Sequence, residues 1–188
     1  LGDAPQVDAV ASALKATKAK NIVLDTPIIS SSGNTLLSAA GTELLMNALM
    51  PLATVITPNI PELLCLSNND VKPSELSPSI LERMVQTLFD RGAKNILIKG
   101  GHLDGLPIDI LFTDNGDKYE FAGMRVASPY THGTGCILSS AIAAYLAKGF
   151  DLYSSIAHAK SYCFECISNP QQFSTGSGLP GTIDRTNE

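Results

Sequence analysis

Hydrophobic residues recur along this chain in two ways, at helical spacing and in short unbroken runs, and the two alternate. Between Leu1 and Lys20 the positions Val7, Val10, Ala13 and Leu14 predict one apolar helix face. Asn21-Ile-Val-Leu-Asp25 is a short apolar run closed by an acid and predicts a buried strand. Ala39 to Leu49 returns to helical spacing. Ala53-Thr-Val-Ile-Thr57 predicts a second strand, stopped by Pro58. Pro61 to Leu66 reads as a short helix with proline suitably in its first turn. Pro78 to Arg91 is a further helix, closed by Gly92, and Lys94 to Lys99 a third strand, closed by Gly100-Gly101.

Ile108–Thr113 and Lys118–Phe121 flank Asp114-Asn-Gly-Asp117, a hairpin signal. Gly133–Lys148 and Leu152–Ser168 predict two helices split by Gly149. From Asn169 the chain is rich in Ser, Thr, Gly and Pro and predicts an irregular tail. Strands alternating with helices imply an α/β fold, a mainly parallel sheet flanked by helices and joined by right-handed crossovers. Sites in such sheets lie at the carboxyl ends of the strands. Asp25, the Thr57-Pro58-Asn59 turn and Lys99 all fall at such ends.

Composition narrows the picture. The 188 residues suit one domain with a substantial core, and no repeat or low-complexity linker divides them. The chain is 44% hydrophobic with only 16% charged residues, as expected when a sheet is covered on both faces. A net charge of -5 argues against a nucleic-acid footprint. No apolar run reaches membrane-spanning length, and no signal peptide is visible. The four cysteines, Cys65, Cys136, Cys163 and Cys166, read as reduced thiols of a cytoplasmic protein.

The candidate chemistry starts at Thr131-His132-Gly133-Thr134-Gly135-Cys136, directly before a small-residue helical segment. Glycines allow the backbone to turn its N–H groups inward, and a helix start adds unpaired N–H groups and a positive dipole end. A phosphate, or the charge developing as one is transferred, would be stabilised there. Cys136 falls at the helix entrance, where thiol pKa values tend to drop. Asn59 reads first as a helix cap, and Glu62 as a first-turn acid opposing the dipole. The same two residues suit a magnesium–triphosphate site, since magnesium takes carboxylate and water oxygens. Asp25 reads as a functional carboxylate ahead of a surface or capping one. Lys99 reads as a mobile point charge for phosphate, with the Gly100-Gly101 pair permitting close backbone approach. His102 orients the loop or faces solvent. Cys163-x-x-Cys166 reads as buried helix cysteines, Cys65 as core, and His158 as structural or solvated. A cysteine hydrolase built on Cys136 and His132 lacks an orienting acid.

Taken together, four segments resemble the ribokinase-like superfamily and, within it, the hydroxymethylpyrimidine/phosphomethylpyrimidine kinases of thiamin biosynthesis. They are Val23-Leu24-Asp25-Thr26 with Ser32-Gly33 downstream, Thr57-Pro58-Asn59-Ile60-Pro61-Glu62, Leu97-Ile98-Lys99-Gly100-Gly101-His102-Leu103, and Thr131 to Cys136. Most of the superfamily places an aspartate where Cys136 stands, and the pyrimidine kinases have cysteine there. The resemblance implies ATP and Mg2+ as cofactors, with a monovalent cation left open, and a small pyrimidine alcohol as substrate. It implies Cys136 as base or part of the catalytic pocket, with Gly133, Thr134 and Gly135 as an anion hole. Lys99, Asn59, Thr131 and His132 would meet the nucleotide, and Asp25 and Glu62 the magnesium.

The resemblance covers residues 1–178 as a partial kinase domain, with 179–188 an irregular tail. It implies that the family's amino-terminal strands and substrate loop are missing, so the isolated chain is expected to be unstable or to associate with itself. Asn34 replaces a common Asp, and the tail lacks the family's usual histidine. A vitamin B6 (pyridoxal/pyridoxine) kinase and a non-catalytic remnant stand as alternatives, and pairing into a homodimer is left open.

Overall fold

A computed structural model of the chain describes residues 2–29, 35–100, 107–123 and 133–168. The chain divides into two compact units, 1–121 and 122–188.

The first unit is built on a five-stranded sheet in the order β1 (Val23–Leu24), β2 (Val55–Ile56), β3 (Asn95–Ile98), β4 (Asp109–Thr113) and β5 (Lys118–Phe121). β1, β2 and β3 are parallel, β4 is antiparallel to β3, and β5 is antiparallel to β4. Four of the five strands therefore share one direction, as the alternating pattern implies. β1 and β2 are shorter than the apolar runs that announce them. The backbone pairing nevertheless extends past their ends, with Thr54 N–H donating to Ile22 O at 2.7 Å and Thr57 N–H to Leu24 O at 3.1 Å.

The central strand shows why its sequence is apolar without alternation. Ile96 pairs with Phe112 and Ile98 with Ile110, facing one side of the sheet, while Leu97 pairs with Leu111 on the other. Ile96, Leu97, Ile98 and Leu111 are all buried, as a strand covered on both faces requires. The hairpin edge is protected differently, by exposed Lys118, Tyr119 and Glu120 on β5, a charged margin that discourages further strand pairing.

Helices α1 (Ala4–Thr17), α2 (Ala39–Leu44), α3 (Ile60–Leu66) and α4 (Pro78–Asp90) belong to this unit. Each starts where its sequence supplies a cap. Asp3 accepts from Ala4 N–H, Ser38 from Gly41 N–H, Asn59 from Glu62 N–H and Ser77 from Ile80 N–H. The Ser38 hydroxyl also donates to Asp3, so the caps of α1 and α2 brace one another. The expected face of α1 is corrected. Val7 and Ala11 are buried, whereas Val10 and Ala13 are exposed, because Ala13 lies about a third of a turn from the buried line. The helix expected over Ala39–Leu49 is not one regular cylinder. After Leu44 it widens into a π turn over Leu45–Leu49 and tightens into a 3-10 turn over Met50–Leu52, where Pro51 cannot continue an α-helix. Leu45, Met46, Leu49 and Met50 stay buried through the change.

In the second unit, α5 (Thr134–Ala147) and α6 (Leu152–Ser168) pack on each other. Cys163 and Cys166 are buried on α6, in line with the sequence. Cys65 is a correction: it is exposed, because α3 turns Ile60, Leu63 and Leu66 inward and position 65 falls on the far side. All four cysteines are free. No helix among the described residues is long and apolar enough to cross a membrane. His158 is exposed and stacks on Tyr145, with ring centroids 5.1 Å apart.

Ile96 is 0% exposed at the centre of the sheet. Ile96→Ala should therefore lower unfolding stability by about 2–5 kcal/mol, and Ile96→Val by about 0.5–1.5 kcal/mol, in a urea titration.

Candidate active site

Three strand ends bring the candidate residues of the first unit together. Asp25 and Thr26 follow β1, Thr57 follows β2, and Lys99 follows β3. A parallel bridge between Asn59 and Lys99 carries the pairing of β2 and β3 past the strands themselves, and Lys99 N–H donates to Pro58 O at 2.9 Å. The charged groups thus stand at the carboxyl edge of the sheet, where the helices that follow supply N-termini.

The Lys99 ammonium lies 2.9 Å from Asp25 Oδ1 and 3.9 Å from Glu62 Oε2. Thr57 donates its hydroxyl to the same Asp25 oxygen at 2.9 Å. Glu62 closes a capping box with Asn59. Asn59 Oδ1 accepts from Glu62 N–H at 2.8 Å, and Glu62 Oε2 accepts from Asn59 N–H at 2.9 Å. The buried Thr26 hydroxyl also donates to Oε2, at 3.2 Å. The capping reading of Asn59 and Glu62 therefore holds, and the carboxylate that completes the cap also faces the lysine. Burial pushes the Glu62 carboxyl above the ordinary glutamate range. Lys99 and the Asn59 N–H oppose that rise, while the nearby Asp25 charge adds to it.

The arrangement suits a hard cation. The hydrogen bonds of Asp25 gather on Oδ1 and those of Glu62 on Oε2, so each carboxylate keeps a second oxygen without a hydrogen bond among the described residues. No group of three or more His, Cys, Asp and Glu capable of holding a metal occurs among them. Two carboxylates, with waters and phosphate completing the shell, are what magnesium commonly takes, whereas zinc wants more protein ligands.

Lys99, which the sequence marks as a charge for phosphate, lies between two acids in this structure. Sequence reasoning assigned no role to the hydroxyls of Thr26 and Thr57. Their signal was positional, a threonine at the end of an apolar strand beside an acid. Cys65, one turn after Glu62, has its thiol pushed up, first by partial desolvation and then by the Glu62 charge.

In the second unit, Gly133 caps α5 at φ 83°, in the left-handed region that favours glycine. The first intrahelical bond runs from Ile137 N–H to Gly133 O at 3.0 Å. The N–H groups of Thr134, Gly135 and Cys136 thus precede any intrahelical partner, as an anion-binding start requires. Cys136 is exposed in this first turn. Thr131 and His132, like Ser32, Gly33, Asn34, Gly101 and His102, lie outside the described residues.

A mainly parallel sheet flanked by helices, with charged residues at its carboxyl edge, fits the ribokinase-like fold, and comparison with known proteins agrees. The chain belongs to the phosphomethylpyrimidine kinase family, whose model matches residues 1–181. It is 38% identical over 170 residues to the hydroxymethylpyrimidine/phosphomethylpyrimidine kinase of Aquifex aeolicus, covering 90% of this chain and 65% of that one. Among solved structures, phosphomethylpyrimidine kinase from Clostridium difficile is 32% identical with a TM-score of 0.73, covering 89% of this chain and 66% of that one. Pyridoxal kinase from Staphylococcus aureus in complex with AMP-PCP is 26% identical with a TM-score of 0.83, covering 99% and 67%. The chain spans about two thirds of the length of these relatives.

The raised Glu62 pKa has a defined sign. The folded protein holds this proton more tightly than the unfolded chain, so stability is greatest below the unfolded-state value and declines as pH rises towards the folded one. Glu62→Gln keeps an acceptor for Asn59 and Thr26 but removes the titration. Urea unfolding between pH 4 and pH 7 should show a flatter profile in the variant, and an unchanged slope would contradict the assignment.

Proposed function

We propose that this protein transfers the terminal phosphoryl group of ATP to 4-amino-5-hydroxymethyl-2-methylpyrimidine and then to its monophosphate, in thiamin biosynthesis in the cytoplasm. The observation that carries this reading is the convergence of Asp25, Glu62 and Lys99 on one sheet edge, in a chain of the phosphomethylpyrimidine kinase family. The relative solved with AMP-PCP supports a nucleoside triphosphate as donor.

Phosphoryl transfer asks a protein mainly for positioning and charge stabilisation. Asp25 and Glu62 would hold magnesium through their second oxygens, and the ion would neutralise charge on the triphosphate. Thr57 and Thr26 hold the two carboxylates in place from behind. Lys99 supplies the cation that faces the phosphates, and Asn59 fixes Glu62 through the capping box. Gly133, Thr134 and Gly135 would offer backbone N–H groups to the oxygens of the transferring group, and Thr131 and His132 are carried over from the family resemblance as nucleotide contacts. Cys136 takes the proton of the attacking hydroxymethyl group or shapes the pocket around it. A thiol reads as the mark of a pyrimidine kinase, where an aspartate would mark most of the superfamily.

A vitamin B6 kinase is the second reading, favoured by the likeness to the Staphylococcus aureus pyridoxal kinase at TM-score 0.83. ADP release measured side by side with the pyrimidine alcohol and with pyridoxal decides between them. Turnover with the pyrimidine alcohol at several times the kcat/KM for pyridoxal is expected, and the reverse order would favour the second reading. No turnover of either would favour a non-catalytic role.

Cys136→Ala should reduce kcat by about 100-fold or more, the usual scale for loss of a proton-transfer group, while the affinity for AMP-PCP stays within about threefold. Unchanged turnover in the variant would remove Cys136 from the chemistry.

A further inference from the structure

Among the described residues, the buried carboxylates are Glu62 and Asp109, and only Glu62 belongs to the site above. Asp109 opens β4 and is 7% exposed. Its Oδ1 accepts a hydrogen bond from Gly100 N–H at 2.8 Å, and Gly100 is the residue directly after Lys99.

The reason for this bond lies in how the sheet ends. The regular pairing of β3 with β4 finishes at Ile98 and Ile110. Successive N–H groups of an extended chain point to opposite sides, so the next two leave β3 in opposite directions. Lys99 N–H goes to Pro58 O on the β2 side, at 2.9 Å. Gly100 N–H, buried and past the end of the ladder, needs an acceptor on the β4 side, and the Asp109 carboxylate supplies it. The approach is close. A Cβ added to Gly100 would lie 1.9 Å from Ile108 O, so only glycine fits while β4 sits here. The backbone that carries Lys99 is therefore held from both flanks.

We infer that Asp109 is a positioning residue for Lys99. By fixing the peptide after the lysine, it sets the direction in which the long, flexible side chain presents its ammonium to the nucleotide phosphates. The inference rests on the reading of Lys99 as a phosphate contact. A lysine has many rotamers, and anchoring its backbone reduces the freedom lost when the ammonium engages a ligand. What the position requires is an acceptor oxygen aimed at Gly100, so asparagine should replace aspartate and leucine should not.

The test is a set of variants of the complete protein, read by AMP-PCP affinity in calorimetry, by KM values for ATP and the alcohol, and by exchange of the Gly100 amide proton in NMR. Asp109→Leu should weaken AMP-PCP binding on the order of tenfold, raise the KM for ATP in parallel, leave the KM for the alcohol within about twofold, and speed Gly100 exchange. Asp109→Asn should stay within about threefold of the parent with a slow Gly100 amide. Gly100→Ala should weaken AMP-PCP binding with Asp109 intact. If Asp109→Leu fails to fold, the parent and the asparagine variant still decide, since rapid exchange of Gly100 in the parent overturns the inference. Lower stability of Asp109→Leu with unchanged AMP-PCP affinity also overturns it, leaving only a structural role. Lys99→Ala separates the layers. If that variant binds AMP-PCP as the parent does, the reading of Lys99 fails and the inference falls with it. If it binds weakly while Asp109→Leu binds normally, only the inference about Asp109 fails.

Discussion

A single ammonium group allows two carboxylates to share the edge of an apolar sheet. Without Lys99, Asp25 and Glu62 would face each other from a partly dry environment with no opposite charge between them, and desolvation would favour protonating one of them. With it, the cluster carries one net negative charge if all three groups are ionised, held by neutral donors from Thr26, Thr57 and the Asn59 backbone. The sheet makes this meeting unavoidable. Strands of one direction deliver their last residues to one edge, and the three charges sit within a few residues of three adjacent strand ends.

Hydrogen bonds to the backbone also gather around the cluster. The Asn59 side chain and the Glu62 carboxylate satisfy each other's backbone N–H groups. Pro58 presents its carbonyl to Lys99, and a β4 side chain captures the following amide. Each of these bonds answers a local demand of helix start or strand end. Their combined effect is to limit the conformational freedom of the backbone that carries the charges, which is what the proposed phosphoryl transfer would need from its scaffold.

Much of this was legible in the amino-acid pattern. Element order, the hairpin around Asn115-Gly116 and the pair of carboxy-terminal helices follow from period and punctuation, because those signals are local. The strand-end positions of Asp25, Asn59 and Lys99 were legible for the same reason. What escaped notice depends on contacts distant in sequence. The bond from Thr57 to Asp25 spans 32 positions and that from Lys99 to Asp25 spans 74, so no spacing rule announces them. Cys65 reads as core from its apolar character, but its angle on α3 places it opposite buried Ile60, Leu63 and Leu66. Val10 failed for a similar reason, lying at the margin of the buried face of α1. The π turn after Leu44 was hidden because the buried positions it preserves are compatible with an ordinary helix as well.

The capping box carries a consequence for the history of this position. Glu62 braces the start of α3 and also supplies an acid to the sheet edge, through the same oxygen. Aspartate would reach one methylene short, glutamine would keep the brace and discard the charge, and a small residue would lose both. If the proposed magnesium role holds, substitution here is penalised twice by unrelated requirements, folding and chemistry. A lineage that gave up catalysis would still have reason to retain the glutamate, so its presence alone is a poor witness to activity.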